Sequence, residues 1–187
     1  MLKNDRGNMQ KDKSNSYICI MKQILFYLIA LCVLTSCLGK LETSSSADII
    51  NVGQKLPDFE VVLSDGMKVT SSMLQGKPSV IVFFNTACKD CQKELPLIQQ
   101  LYEENTSNKV TFLCISRAEG KASIESYWQQ NKLTLPYSAQ EDKTIYNKFA
   151  TSTIPRVYIS DSSGTVKNIY VERTELNTLR TAINQLK

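Results

Sequence analysis

Ser79-Val-Ile-Val-Phe-Phe-Asn85-Thr-Ala-Cys88-Lys-Asp-Cys91-Gln-Lys-Glu94-Leu-Pro96-Leu-Ile-Gln-Gln-Leu-Tyr102 is the stretch that decides the fold. Its residues 80–84 are continuously apolar, as a central strand buried on both faces should be. Residues 88–104 read as a helix interrupted at Pro96, which removes a backbone donor and predicts a kink. A Cys-x-x-Cys pair at a strand-to-helix junction is the sequence signature of a thiol–disulfide redox centre. The thiolate is the attacking species, and a helix N-terminus favours negative charge on Cys88 through backbone N–H groups that have no helical partner. Cys91 lies one turn on, shares the face of Cys88, and can close a small ring with it. Cys88 is therefore expected to be the exposed attacker and Cys91 the shielded resolver. Glu94, three residues beyond Cys91, falls on the same side of the helix. A carboxylate there could take the Cys91 proton, the alternative being a solvated surface glutamate.

Working outward, residues 60–63 and 67–70 flank Ser64-Asp65-Gly66, a hairpin signal. Residues 110–116 read as a second central strand, and 123–131 and 141–149 as helices. The strands 156–160 and 165–171 are joined by Asp161-Ser162-Ser163-Gly164. Leu176, Leu179, Ile183 and Leu186 stand at helical spacing and close the chain with a helix over 174–186. This order predicts an α/β domain over residues 49–187. Its core is a central mixed β-sheet flanked by helices on both faces, with an extra N-terminal β-hairpin.

The chain has 187 residues and 42% apolar content, enough for one domain and a leader. Residues 24–34 form an uncharged apolar run of 11 residues behind Lys22. That is short for a membrane span and suited to a signal-peptide core. Leu34-Thr35-Ser36-Cys37 resembles the bacterial lipobox, which implies lipid on Cys37 and cleavage before it. Residues 1–36 are then the leader and lipoprotein signal peptide (with Met21 a second candidate start), and 37–48 a lipidated tether. An uncleaved signal anchor is the competing reading. Lys3, Arg6, Lys11, Lys13 and Lys22 against Asp5 and Asp12 give the leader +3 of the chain's net +4. The remainder is close to neutral, so no nucleic-acid partner is implied.

Of six cysteines, Cys19 and Cys32 fall in the leader and Cys37 at the lipidation site, leaving Cys88, Cys91 and Cys114. An odd set with one close pair makes a poor structural framework and a good redox pair plus a spectator, Cys114. Zinc would need two further Cys or His ligands beyond the Cys-x-x-Cys, and the chain has no His. No metal and no cofactor is expected beyond a redox-active Cys88–Cys91 disulfide.

Gly53-x-x-x-Pro57-Asp58-Phe59, the Asp65-Gly66 turn, Gly76-Lys77-Pro78, the Cys88 stretch and Thr153-Ile-Pro155-Arg-Val-Tyr-Ile-Ser-Asp161 occur in this order. Together they resemble the thioredoxin-fold lipoproteins and membrane-tethered reductases of the TlpA/ResA type, over about residues 49–187. The resemblance implies a thioredoxin-like fold, Cys88 and Cys91 as the redox pair, and Glu94 as the acid that tunes them. It also implies a cis-proline at Pro155 opposite the disulfide, with Ile154 offering backbone groups to an extended substrate segment. Further expectations are a place in the bacterial cell envelope with the domain facing the periplasm, disulfide-containing exported proteins as substrates, and a thiol-reducing membrane electron donor as partner. Departures lie at Ala87, where members commonly carry Trp, and at Lys89-Asp90, where pairs containing Pro are usual. Both positions influence reduction potential. The acid that cytosolic thioredoxins bury six residues before the first Cys is Val82 here. Two other functions stay open. A thiol peroxidase of the related alkyl-hydroperoxide-reductase class would need Pro-x-x-x-Thr-x-x-Cys, whereas Thr86 stands two residues before Cys88. A non-catalytic lipoprotein would use the pair as a structural disulfide.

Overall fold

The computed structural model describes residues 48–186. Cys37, the leader and nearly all of the tether lie outside the described residues. The elements run β1 (Glu60–Val62), β2 (Lys68–Thr70), β3 (Ser79–Phe84), α1 (Lys89–Glu104), β4 (Thr111–Ser116), α2 (Lys121–Gln130), β5 (Tyr137–Ser138), β6 (Arg156–Ser160), β7 (Val166–Val171) and α3 (Leu176–Asn184). The expected hairpin is β1–β2, paired Glu60 to Thr70. Its turn carries Gly66 at φ +88°, a backbone only glycine adopts freely. Asp65 Oδ1 accepts the Met67 N–H at 2.9 Å and fixes the return.

Five strands form the mixed sheet in the order β5-β4-β3-β6-β7. β3 is central, parallel to β4 from Ser79↔Thr111 to Phe84↔Ser116 and antiparallel to β6. All six of its residues are buried, which explains its uninterrupted apolar sequence. Alternation then divides the core. Val80, Val82 and Phe84 pack with Leu95 and Ile98 of α1, Ile124 and Trp128 of α2, and Leu179 and Ile183 of α3. Ile81 and Phe83 face the other way, against Phe59, Val61, Tyr146 and Phe149.

Three corrections follow. The apolar side chains of all three α-helices join one face; for α1 and α2 the cause is that the crossovers β3-α1-β4 and β4-α2-β5 advance in the same direction with the same hand. The hairpin and two short 3-10 turns, Ser71–Leu74 and Tyr146–Lys148, supply the opposite layer. The helix expected over 141–149 is only the second of these turns, since Asp142 Oδ1 captures the Thr144 N–H at 2.7 Å and competes with helical bonding. Helix α1 continues through Pro96, and buried Leu95, Ile98 and Leu101 hold it on both sides of the missing donor. Strand β5 was not expected, two residues being too few to show a period. Among the described residues no helix is long and apolar enough to cross a membrane.

Candidate active site

The chain leaves β3 at Phe84 and turns into α1 within four residues. Asn85 Oδ1 accepts the Ala87 N–H at 2.9 Å, and Asn85 O accepts the Cys88 N–H at 3.1 Å. Cys88 becomes the N-cap of α1, in extended backbone, and its Sγ accepts the Cys91 N–H at 3.4 Å. The first turn of the helix thus directs an otherwise unpaired donor at the sulfur. Cys88 is half-buried, Cys91 is fully buried, and both are free thiols. Burial, followed by the adjoining Cys88, pushes the Cys91 thiol far above the ordinary cysteine range.

Thr86, two residues before Cys88, has each of its polar groups bonded. Its N–H donates to Glu119 Oε2 at 2.7 Å, its hydroxyl donates to Glu119 Oε1, and its carbonyl accepts from Gln92 Nε2 at 2.8 Å. The hydroxyl a peroxidase would turn toward the thiolate is therefore directed at a carboxylate instead. Sequence reading did not find Glu119, because it sits 33 residues from Thr86 on another loop.

Ile154–Pro155 is a cis peptide bond, as the resemblance implied. The Ile154 carbonyl lies 3.7 Å from Cys88 Sγ, so Cys88, Ile154 and Pro155 come together. Beneath this loop lies a polar network. Tyr146 Oη donates to the carbonyls of Ser152 at 2.5 Å and Thr153 at 2.8 Å, and Arg156 Nε donates to the same two at 2.9 and 3.0 Å. Arg156 Nη1 is ion-paired with Asp48, and Tyr158 Oη donates to the Phe149 carbonyl at 3.1 Å. The Arg156 side chain is 0% exposed and that of Asp48 6%. The only signal for this network was a charged residue inside an otherwise apolar strand, a position that demands a partner.

Glu94 is buried, not solvated. Its Oε2 accepts the Thr174 N–H at 3.0 Å at the approach to α3, and Oε1 is buried without a hydrogen-bond partner among the described residues. Burial raises its pKa above the usual carboxylate value, opposed by the Thr174 N–H and by Arg173. Val82 is buried between Cys114 and Val157. Cys114 is fully enclosed in β4, where burial drives its thiol upward. Among the described residues no cluster of three or more His, Cys, Asp or Glu could hold a metal.

A dithiol at the head of the helix that leaves the central strand, on a sheet of this strand order, defines the class of thioredoxin-like thiol–disulfide oxidoreductases. Relatives agree. A thiol-disulfide oxidoreductase ResA of Bacillus cereus is 26% identical over 157 residues, covering 82% of this chain and 91% of its own. The ResA of Geobacillus kaustophilus is 28% identical over 120 residues, 64% of this chain and 69% of the relative. A solution structure from Bacteroides thetaiotaomicron aligns with TM-score 0.71 at 26% identity, covering 75% of this chain and 92% of that one. A thiol:disulfide interchange protein of the thioredoxin family from Chlorobium tepidum shares the fold, with TM-score 0.64, 22% identity, and coverage of 73% and 98%. The chain belongs to the AhpC/TSA family, whose model it matches over residues 52–169.

Proposed function

We propose that the protein is a lipid-anchored envelope reductase, held by lipid on Cys37, that uses Cys88 and Cys91 to reduce disulfides of exported proteins in the periplasm. The observation that carries this reading is the half-buried Cys88 Sγ, at the tip of α1 and 3.7 Å from the Ile154 carbonyl beside the cis-proline. An extended substrate segment running along Ile154 and Pro155 would bring its disulfide to that sulfur. The Cys88 thiolate attacks one substrate sulfur, and the other leaves as a thiolate and takes a proton from water. Cys91 gives its proton to Glu94 and attacks the Cys88 sulfur. The mixed disulfide breaks and the second substrate thiolate is protonated. The substrate gains two electrons and the Cys88–Cys91 pair loses two. A dithiol donor at the membrane restores the pair. Glu94 suits its part because burial raises its proton affinity while the thiol it serves is itself hard to ionise.

Trapping tests the order of attack. A Cys91→Ala chain incubated with oxidised envelope proteins should accumulate mixed disulfides through Cys88, and finding none overturns the mechanism. Titration of the pair in dithiothreitol buffers tests the direction. A potential near about −270 mV fits a reductase, one near about −120 mV an oxidant, and one below about −300 mV a structural disulfide.

A further inference from the structure

Beside Cys88 opens a groove of about 390 Å³ whose lining includes Ile154, Arg117 and Lys143, and no acidic residue. Arg117 is carried there by the loop after β4. Its backbone N–H donates to the Phe84 carbonyl at 2.8 Å, at the end of the central strand. Its guanidinium lies 5.1 Å over the ring of Tyr146, the residue whose hydroxyl holds the carbonyls of Ser152 and Thr153. The cation is thus fixed to the loop that carries the cis bond. Its Nε is buried without a hydrogen-bond partner, and among the described residues neither Arg117 nor Lys143 takes part in an ion pair. Two cations outside any described ion pair therefore line the groove that also holds Cys88.

We infer that this groove selects disulfides in acidic polypeptide segments, with an Asp or Glu beside the attacked cysteine received by Arg117 and Lys143. The inference rests on the dithiol reading above and names the substrate class of that site. A guanidinium matches a carboxylate with paired N–H donors, and at a half-buried position it is screened less than on an open surface. A carboxylate brought this close to the Cys88 thiolate would otherwise repel it, and the two cations offset that repulsion. Opposite charge also speeds encounter, in a salt-dependent way. The bond changes are those of the exchange already given.

The test uses the full chain in detergent with the Cys88–Cys91 pair reduced beforehand. Three peptides each carry one internal disulfide and differ only in having Asp, Asn or Lys on both sides of the attacked cysteine. Single-turnover reduction is followed by thiol labelling. The Asp peptide should react about fivefold faster than the Asn peptide, and the Lys peptide slower still. The spread should collapse near about 1 M salt. Lys143→Glu, at an exposed position where the fold tolerates it, leaves the groove without net charge and should bring the Asp and Lys peptides to similar rates. Arg117→Met should narrow the spread. Equal rates for the three peptides, or a Lys peptide that reacts fastest with the unaltered chain, overturn the inference and leave the dithiol chemistry standing. Reduction of none of the three by a fully reduced chain overturns both.

Discussion

At the scale of single residues, Glu94 is the group whose environment departs furthest from its sequence appearance. A carboxylate with one oxygen on the Thr174 N–H and the other unpartnered in the core resists ionisation in the folded chain. Its folded pKa lies above its unfolded value, so its contribution to stability is complete below about pH 4.5 and is lost as pH rises through the folded value. Urea midpoints of the wild type should therefore fall across that window, while those of Glu94→Gln stay flatter. On the proposal that Glu94 takes the Cys91 proton, the same variant should also lengthen the lifetime of the Cys88 mixed disulfide, seen by quenched labelling. Cys88 and Cys91 were legible because a strand, a turn and a helix N-terminus are all local features. Spacing also set Glu94 on the side of Cys91, but its burial depends on Thr174, which lies 80 residues away.

Among the elements, the junction of β3 and α1 is held by a carboxylate from the loop after β4. Glu119→Ala would leave the Thr86 N–H and hydroxyl without acceptors, at a cost of about 1–3 kcal/mol. Hydrogen exchange should quicken in the first turn of α1 and hardly change in the β6–β7 pair. Strands β3 and β4 were readable from the apolar runs 80–84 and 112–115, as strands buried on both faces require, and β6 from the turn Asp161-Ser162-Ser163-Gly164 that follows it. The hairpin was readable from Asp65-Gly66. Residues 141–149 misled because Ile145, Tyr146 and Phe149 have helical spacing, yet the Asp142 side chain takes the backbone donor a helix would use. The single-faced packing of the helices was not readable at all, since it follows from the order of strands in space.

In the molecule as a whole, the Asp48–Arg156 pair ties the first described residue to the strand that follows the cis-proline. Asp48→Ala leaves a buried guanidinium without its counter-charge, and urea denaturation should show a loss of about 3–5 kcal/mol. A chain cut to begin at residue 52, where the family match starts, should lose a similar amount. No local pattern could show this pairing, because its partners are 108 residues apart. It also has a mechanical meaning. Asp48 bridges Ala150, and its carboxylate grips the arginine that holds the carbonyls of Ser152 and Thr153. A pull on the chain ahead of Asp48 would load that strut before it strained the sheet. Tension would first slacken the loop that carries the cis-proline, so a polypeptide held there as proposed would be released well short of the force that unravels the domain.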